Sequence, residues 1–357
     1  MSATSHFINN GSEDMSIPSW RATCIQMPSK LTTNAASQDA AWSIINDNIG
    51  EAVRLIEQAL ASDLPPKLVV LPEFALQGPP HGLPVAEWMD KAVYPIPGRI
   101  TAPLQALAKS RGIFIAGNQF ESDPQWPGRF FNSCFLIDPK GEVILRFRRI
   151  NTASWPSPHD FIDDYVAQLG WEGTFPVVDT ELGRIALVAC GEIAIPEVAR
   201  CLMLNGAEII LHPTNEDNNP AQEAAKIARA AENMVYVVSA NVAGGIGFSA
   251  DGSVQGGRSR IIDFRGKTLS YREEADGDVS VSAMIDVEAL RAARRDTGMA
   301  NNLLRARWDM YRPFYAEAAA YPANSFLAAP MQTSGETAVP VGVALDRLFE
   351  TGLALRD

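Results

Sequence analysis

Short runs of consecutive apolar residues, each closed by a proline, glycine or charged residue, alternate along this chain with stretches whose apolar positions recur every three or four residues. The first pattern predicts buried strands and the second amphipathic helices. A strand is expected at Arg21 to Gln26, followed by a long helix with Ile45, Ile49, Val53, Ile56 and Leu60 on one stripe. A short buried strand at Leu68 to Leu71 is stopped by Pro72. A helix near Ala102 to Ser110 leads to a strand at Ile113 to Ala116. Asn132 to Asp138 and Glu142 to Phe147 flank Pro139-Lys140-Gly141, which reads as a hairpin. The later part repeats this logic. A strand from Ile185 ends at Cys190, followed by a helix near Pro196 to Asn205, a strand at Glu208 to Leu211, a helix from Pro220 to about Asn233 and a strand at Val235 to Asn241. Arg258 to Phe264 and Thr268 to Arg272 form a further hairpin around Gly266. With no Pro/Ser-rich linker between them, these elements read as one α/β domain over residues 19–295.

Residues 1–18 are polar, with neither a basic start nor an apolar centre, and are expected to be a loosely attached tail rather than a signal peptide. Residues 296–357 change character. Trp308, Tyr311, Phe314, Tyr315 and Tyr321 lie among prolines and alanines, and Val339 to Leu355 suits one amphipathic helix. Such an extension is expected to pack on its own or a partner subunit's surface. No apolar run approaches the ~18 residues of a membrane span, so a cytoplasmic protein without a membrane partner is expected. A formal charge of −12 over 357 residues argues against nucleic acid as a partner. Four scattered cysteines and four histidines show no metal-ligand spacing, so neither a metal nor a cofactor is expected.

The chemistry begins at Cys190, which follows an apolar strand and precedes Gly191. A thiol at a strand tip can attack a carbonyl while the next amide holds the oxyanion; a buried, inert cysteine is the competing reading. Glu73 occupies a similar place, two residues beyond Leu71, where strand carboxyl ends gather and a partly desolvated carboxylate suits proton transfer; a solvated loop glutamate is the competing reading. In Leu145-Arg146-Phe147-Arg148-Arg149, alternation puts Arg149 on the face of Phe147, where a guanidinium seeks an anion, whereas Arg146 and Arg148 suit a solvated face.

Together, Leu-Pro-Glu73-Phe, Phe-Arg-Arg149-Ile and Cys190-Gly-Glu-Ile-Ala-Ile-Pro196-Glu197 resemble the Glu, Lys and Cys signatures of the nitrilase, or carbon–nitrogen hydrolase, superfamily. Gly206-Ala207-Glu208, Ala228-Arg229-Ala-Ala-Glu232-Asn233, Tyr236-Val-Val-Ser-Ala-Asn241 and Gly256-Gly257-Arg258-Ser259 extend the resemblance across Arg21 to Asp286. It implies a four-layer α-β-β-α sandwich whose members pair across helical faces, hence a homodimer or higher homo-oligomer. It also implies the roles. Glu73 is general base and then acid, Cys190 carries the acyl group as a thioester, and the Gly191 N–H and the cation hold the oxyanion.

Arg149 stands where the resemblance puts a lysine. Lys140, in the hairpin turn at the far end of the strand, cannot substitute. Trp155-Pro-Ser-Pro158-His159-Asp160 is the stretch comparable to the family's second-glutamate segment, which makes Asp160 a candidate second acid and places Trp155 at the pocket; a turn aspartate is the other reading of Asp160. Asn215, after the strand Glu208 to Leu211, is expected to line the pocket, whereas His212 reads as a satisfied structural residue. The glycine-rich stretch 244–257 leads to a strand, not a helix, and reads as a loop beside the pocket rather than a phosphate cradle. The expected activity is hydrolysis of a carboxamide or N-carbamoyl compound, a small-molecule substrate. The alternatives are a nitrile substrate, or a pseudoenzyme disabled by Arg149 that binds a ligand.

Overall fold

The computed structural model describes residues 16–152, 154–217, 219–244, 256–318 and 320–356. Its strands are β1 (Trp20–Cys24), β2 (Leu68–Val70), β3 (Phe114–Ser122), β4 (Phe130–Ile137), β5 (Val143–Arg148), β6 (Val178–Thr180), β7 (Gly183–Leu187), β8 (Ile209–Pro213), β9 (Tyr236–Ala240), β10 (Arg260–Ile262), β11 (Thr268–Tyr271) and β12 (Ser282–Ile285). The helices are α1 (Gln38–Leu60), α2 (Val85–Ala92), α3 (Thr101–Arg111), α4 (Ile162–Leu169), α5 (Pro196–Leu204), α6 (Pro220–Asn233), α7 (Val287–Arg295), α8 (Asn302–Arg305), α9 (Trp308–Glu317) and α10 (Ala338–Glu350).

Two six-stranded sheets form, in the orders β12-β1-β2-β3-β4-β5 and β11-β10-β9-β8-β7-β6. Each has three parallel strands at its centre, β1-β2-β3 and β7-β8-β9, with antiparallel strands outside them. Period-two alternation sorts the side chains of the first sheet. Leu68, Val70, Phe114 and Ala116 join the core between the sheets, while Val69 and Ile115 join the core under α1 and α3. Outside the second sheet, α5 and α6 bring Leu202 and Ala230 into the core that holds Ile210 and Val237. The result is the expected α-β-β-α sandwich. Because β1-β2-β3 and β7-β8-β9 run parallel, their carboxyl ends collect at one edge, where sites form in such sheets.

Several elements exceed the sequence expectation. β3 runs through the polar Gly117-Asn118-Gln119 to Ser122, because β4 pairs with it from Ile137 back to Phe130. Gly117 makes this possible, since a Cβ there would lie 2.7 Å from the Phe135 ring. β12 completes the first sheet by pairing antiparallel with β1. Arg148 is not on a solvated face. Its side chain is 5% exposed and bound to Glu121 and Asp123, because β5 lies next to β4 and over those acids.

After α7 the chain returns across its own surface. The amides of Asn324 and Phe326 donate to the carbonyls of His159 and Asp160, and the Val85 amide donates to the Gln332 carbonyl. Met331 is buried there, whereas Phe314 on α9 is 78% exposed. No helix among the described residues is long and apolar enough to cross a membrane. Residues 1–15 of the expected tail, and 245–255 of the glycine-rich stretch, lie outside the described residues.

Candidate active site

The carboxyl-end edge brings Glu73, Arg149 and Cys190 to one cavity of about 270 Å³, which Phe74, Trp155, Asn215, Glu216, Asp217, Asn219 and Gln222 also line. Each of the three is aimed by its strand. Glu73 follows β2, Arg149 follows β5, and Cys190 follows β7.

Glu73 is fully buried. Its Oε1 accepts from Asn132 Nδ2 at 2.7 Å and from Arg149 Nη1 at 3.2 Å, while Oε2 has no hydrogen-bond partner among the described residues. Burial raises its proton affinity, and Arg149 and Asn132 oppose that. Asn132 is itself held by Asn118 at 2.6 Å, and Asn118 Oδ1 accepts from the Phe74 amide. Sequence reasoning passed over both asparagines. A signal was present for Asn132, a polar amide next to the apolar Phe130-Phe131 in an expected strand, whereas Asn118 lies beyond the strand expected at Ile113 to Ala116.

Cys190 sits at φ 40°, a left-handed conformation that costs a side-chain-bearing residue on the order of 1–2 kcal/mol. His212 offsets that cost. The Cys190 carbonyl can only accept, so the contact at 2.8 Å comes from His212 Nε2–H, and Nδ1 then accepts from the Ser239 hydroxyl at 2.9 Å. Burial, with the nearby Lys226 charge, pushes this imidazole down to about 3, so it is neutral. The Cys190 thiol donates to the Asn215 carbonyl at 3.3 Å. Burial first, and then the Glu73 charge, push the thiol up to about 11, with Arg149 pulling the other way. The resting proton is therefore on sulfur, beside a carboxylate whose own affinity is raised. That is the match a proton transfer needs.

The His212 geometry carries a pH consequence. The unfolded imidazole takes a proton near pH 6.5 and the folded one near pH 3. Between those values the unfolded chain binds more protons, so stability falls as pH falls. Melting temperatures recorded from pH 7 to pH 4 should decline, and a His212→Gln variant should show a shallower decline over that range.

Arg149 is anchored at its backbone by Asn132 and at Nε by the Asn151 carbonyl. Its guanidinium carbon stands 5.8 Å from the centre of the Trp155 ring. The turn that carries it is pinned by Glu192, whose Oε1 accepts from the amides of Ile150 and Asn151 and from the Asn151 side chain, at 2.8 to 3.0 Å. Glu192 was read as part of a motif but not as a site residue, and only the fold reveals what it touches. Gly191 makes room for the guanidinium, since a Cβ there would lie 3.3 Å from Arg149 Nη2 and 3.9 Å from Gln222 Nε2. Alanine would move the arginine by tenths of an ångström. A branched side chain would occupy its place. Gly191→Leu is thus expected to lower kcat/KM by about 10²-fold, the scale on which a misplacement of ~1 Å acts. Gly191→Ala should stay within a few-fold. Steady-state kinetics of the two variants separates these outcomes.

Asp160 is not at the cavity. Its Oδ2 accepts from the Ser157 amide at 2.9 Å in a capping box that opens the turn Pro158–Phe161, and burial pushes its carboxyl up to about 6. Ser157 three residues earlier is what captures it. The acids that the structure adds to the cavity wall are Glu216 and Asp217.

The family profile of carbon-nitrogen hydrolases matches residues 21–295. The chain belongs to the carbon–nitrogen hydrolase family. It is an amidase-like enzyme of that kind. An (R)-stereoselective amidase of Pseudomonas sp is 30% identical over 233 residues, 64% of this chain and 76% of that protein. The omega-amidase NIT2-B of Xenopus laevis is 26% identical over 252 residues, 70% of this chain and 86% of that protein. Among solved structures, Saccharomyces cerevisiae Nit3, a member of branch 10 of the nitrilase superfamily, superposes with TM-score 0.62 at 19% identity, over 81% of this chain and 97% of that one. That last likeness concerns the fold. The hydrolase thus keeps the layered scaffold and places an arginine beside its glutamate and cysteine.

Proposed function

We propose that this hydrolase cleaves a carboxamide through a cysteine thioester and releases ammonia or an amine. The observation that carries the reading is the meeting of a buried carboxylate, a guanidinium bound to it and a strained cysteine in one cavity. Glu73 takes the Cys190 proton as sulfur bonds to the amide carbon, and the carbonyl electrons move onto oxygen. Arg149, reaching toward Gly191, and the first amides of the turn that begins at Cys190 hold that oxygen. Glu73 then gives the proton to the departing nitrogen. The C–N bond breaks and the thioester remains. Water, deprotonated by Glu73, attacks the thioester carbon, the C–S bond breaks and sulfur regains a proton.

Acid-quenched mass spectrometry during turnover of simple amides tests this. A mass increment equal to the acyl group should appear on the Cys190 peptide and be absent in Cys190→Ala. A Cys190 inert to both amides and iodoacetamide would overturn the reading in favour of a ligand-binding protein. Arg149→Lys should lower kcat/KM by about 10- to 10²-fold, because the ammonium loses the fork that spans Glu73 and the oxyanion. A gain of activity would instead mark Arg149 as the disabling change. The four cysteines are unpaired, which suits a reducing compartment and supports a cytoplasmic enzyme. The apolar face that α9 exposes supports assembly into a homo-oligomer.

A further inference from the structure

We propose that Glu216 selects the substrate: an amide whose carbon next to the carboxamide carries an amino group, bound as its ammonium. This inference rests on the reading of the cavity as the amidase site. Glu216 lines that cavity next to Asn215, the residue whose carbonyl accepts from the Cys190 thiol. It is 5% exposed, and its Oε1 is bound by Lys226. Its Oε2 has no hydrogen-bond partner among the described residues. A buried carboxylate oxygen left unpaired costs several kcal/mol unless something visits it. The visitor must be a donor.

The surrounding charges say which donor. Lys226 is fully buried on α6 and also binds Glu223 at 2.8 Å, while Glu223 is bound in turn by Arg260. Lys226 and Arg260 are thus taken up by Glu216 and Glu223, and neither offers a cation to the cavity. Arg149 is committed to Glu73, and Arg146 and Arg148 to Glu121. Asp217 adds a second acid to the wall. A substrate carboxylate at this wall would meet two acids, with the one guanidinium of the cavity, Arg149, bound to Glu73 on the Cys190 side. An ammonium would complete Glu216 and leave the carboxamide beside Cys190.

Binding to Cys190→Ala, measured by titration calorimetry at pH 7, tests this apart from turnover. Racemic alaninamide and isobutyramide differ only in an ammonium replaced by a methyl group. Alaninamide should bind at least tenfold tighter. In Cys190→Ala/Glu216→Gln the two amides should bind alike. Should that protein not fold, Glu216→Asp, which keeps the charge but withdraws it by one methylene, should still cut the preference at least threefold. Equal binding by Cys190→Ala, or a preference that survives both changes at Glu216, would overturn the proposal. Selective binding with no turnover of either amide by the wild type would sink the hydrolase reading and leave Glu216 as an ammonium site.

Discussion

Cys190→Ala is expected to fold and to lose amide turnover by about 10⁴-fold or more, with Glu73→Gln falling nearly as far and the double variant no further. Side chains that act as one unit fail together, because either alone leaves the other nothing to exchange a proton with. The thiol, held near pKa 11 by burial and by the Glu73 charge, is a poor nucleophile until its proton leaves. Glu73 is the acceptor placed to take it. Glutamine keeps the Asn132 contact but accepts no proton, so the loss should fall on kcat rather than KM. Measuring kcat and KM for both single variants and the double decides this. Additive losses, with the double variant far below either single one, would show two independent contributions and would break the proposed proton exchange.

The second large effect is on stability. Lys226→Met should destabilise the protein by about 3–5 kcal/mol, the cost of stranding buried charge when one partner of a pair is removed. The ammonium touches both Glu216 and Glu223, and all of it is buried. Burial, with the Arg260 charge behind it, pushes its proton affinity down to about 7, while the two carboxylates in contact with it are left without a partner once it is removed. A drop in melting temperature of roughly 5–15 °C is expected. Lys226→Met/Glu216→Gln should recover part of it, because an amide leaves less charge unpaired. No recovery would mean that the lost side-chain packing, not the charge pair, sets the cost.

How far this could be read in advance varied with the kind of residue. Glu73 and Cys190 were legible because each ends an apolar strand run, and α/β sheets gather such ends at one edge. Arg149 was legible by alternation, sharing the inner face with Phe147. Trp155 and Asn215 were expected at the pocket, and both line it. Asp160 was misplaced for a local reason: Ser157 captures its carboxylate in a cap before it can reach the cavity. Glu216 and Lys226 went unnoticed, although α6 buries Gln222, Ala225, Lys226, Arg229 and Asn233 on one stripe. Polar residues at helical spacing on a buried face are a signal that partners wait on the other side.

What the sequence alone determined is the scaffold. Alternation and helical period are properties of neighbours a few residues apart, and they specify strands, helices and the edge at which the strands end. What only the tertiary structure decided is who meets whom. Asn132 meets Glu73 across 59 positions and Arg149 meets it across 76. Gly191 leaves space for a guanidinium 42 residues upstream. Such meetings depend on sheet register and on two sheets closing face to face, and no local pattern encodes them.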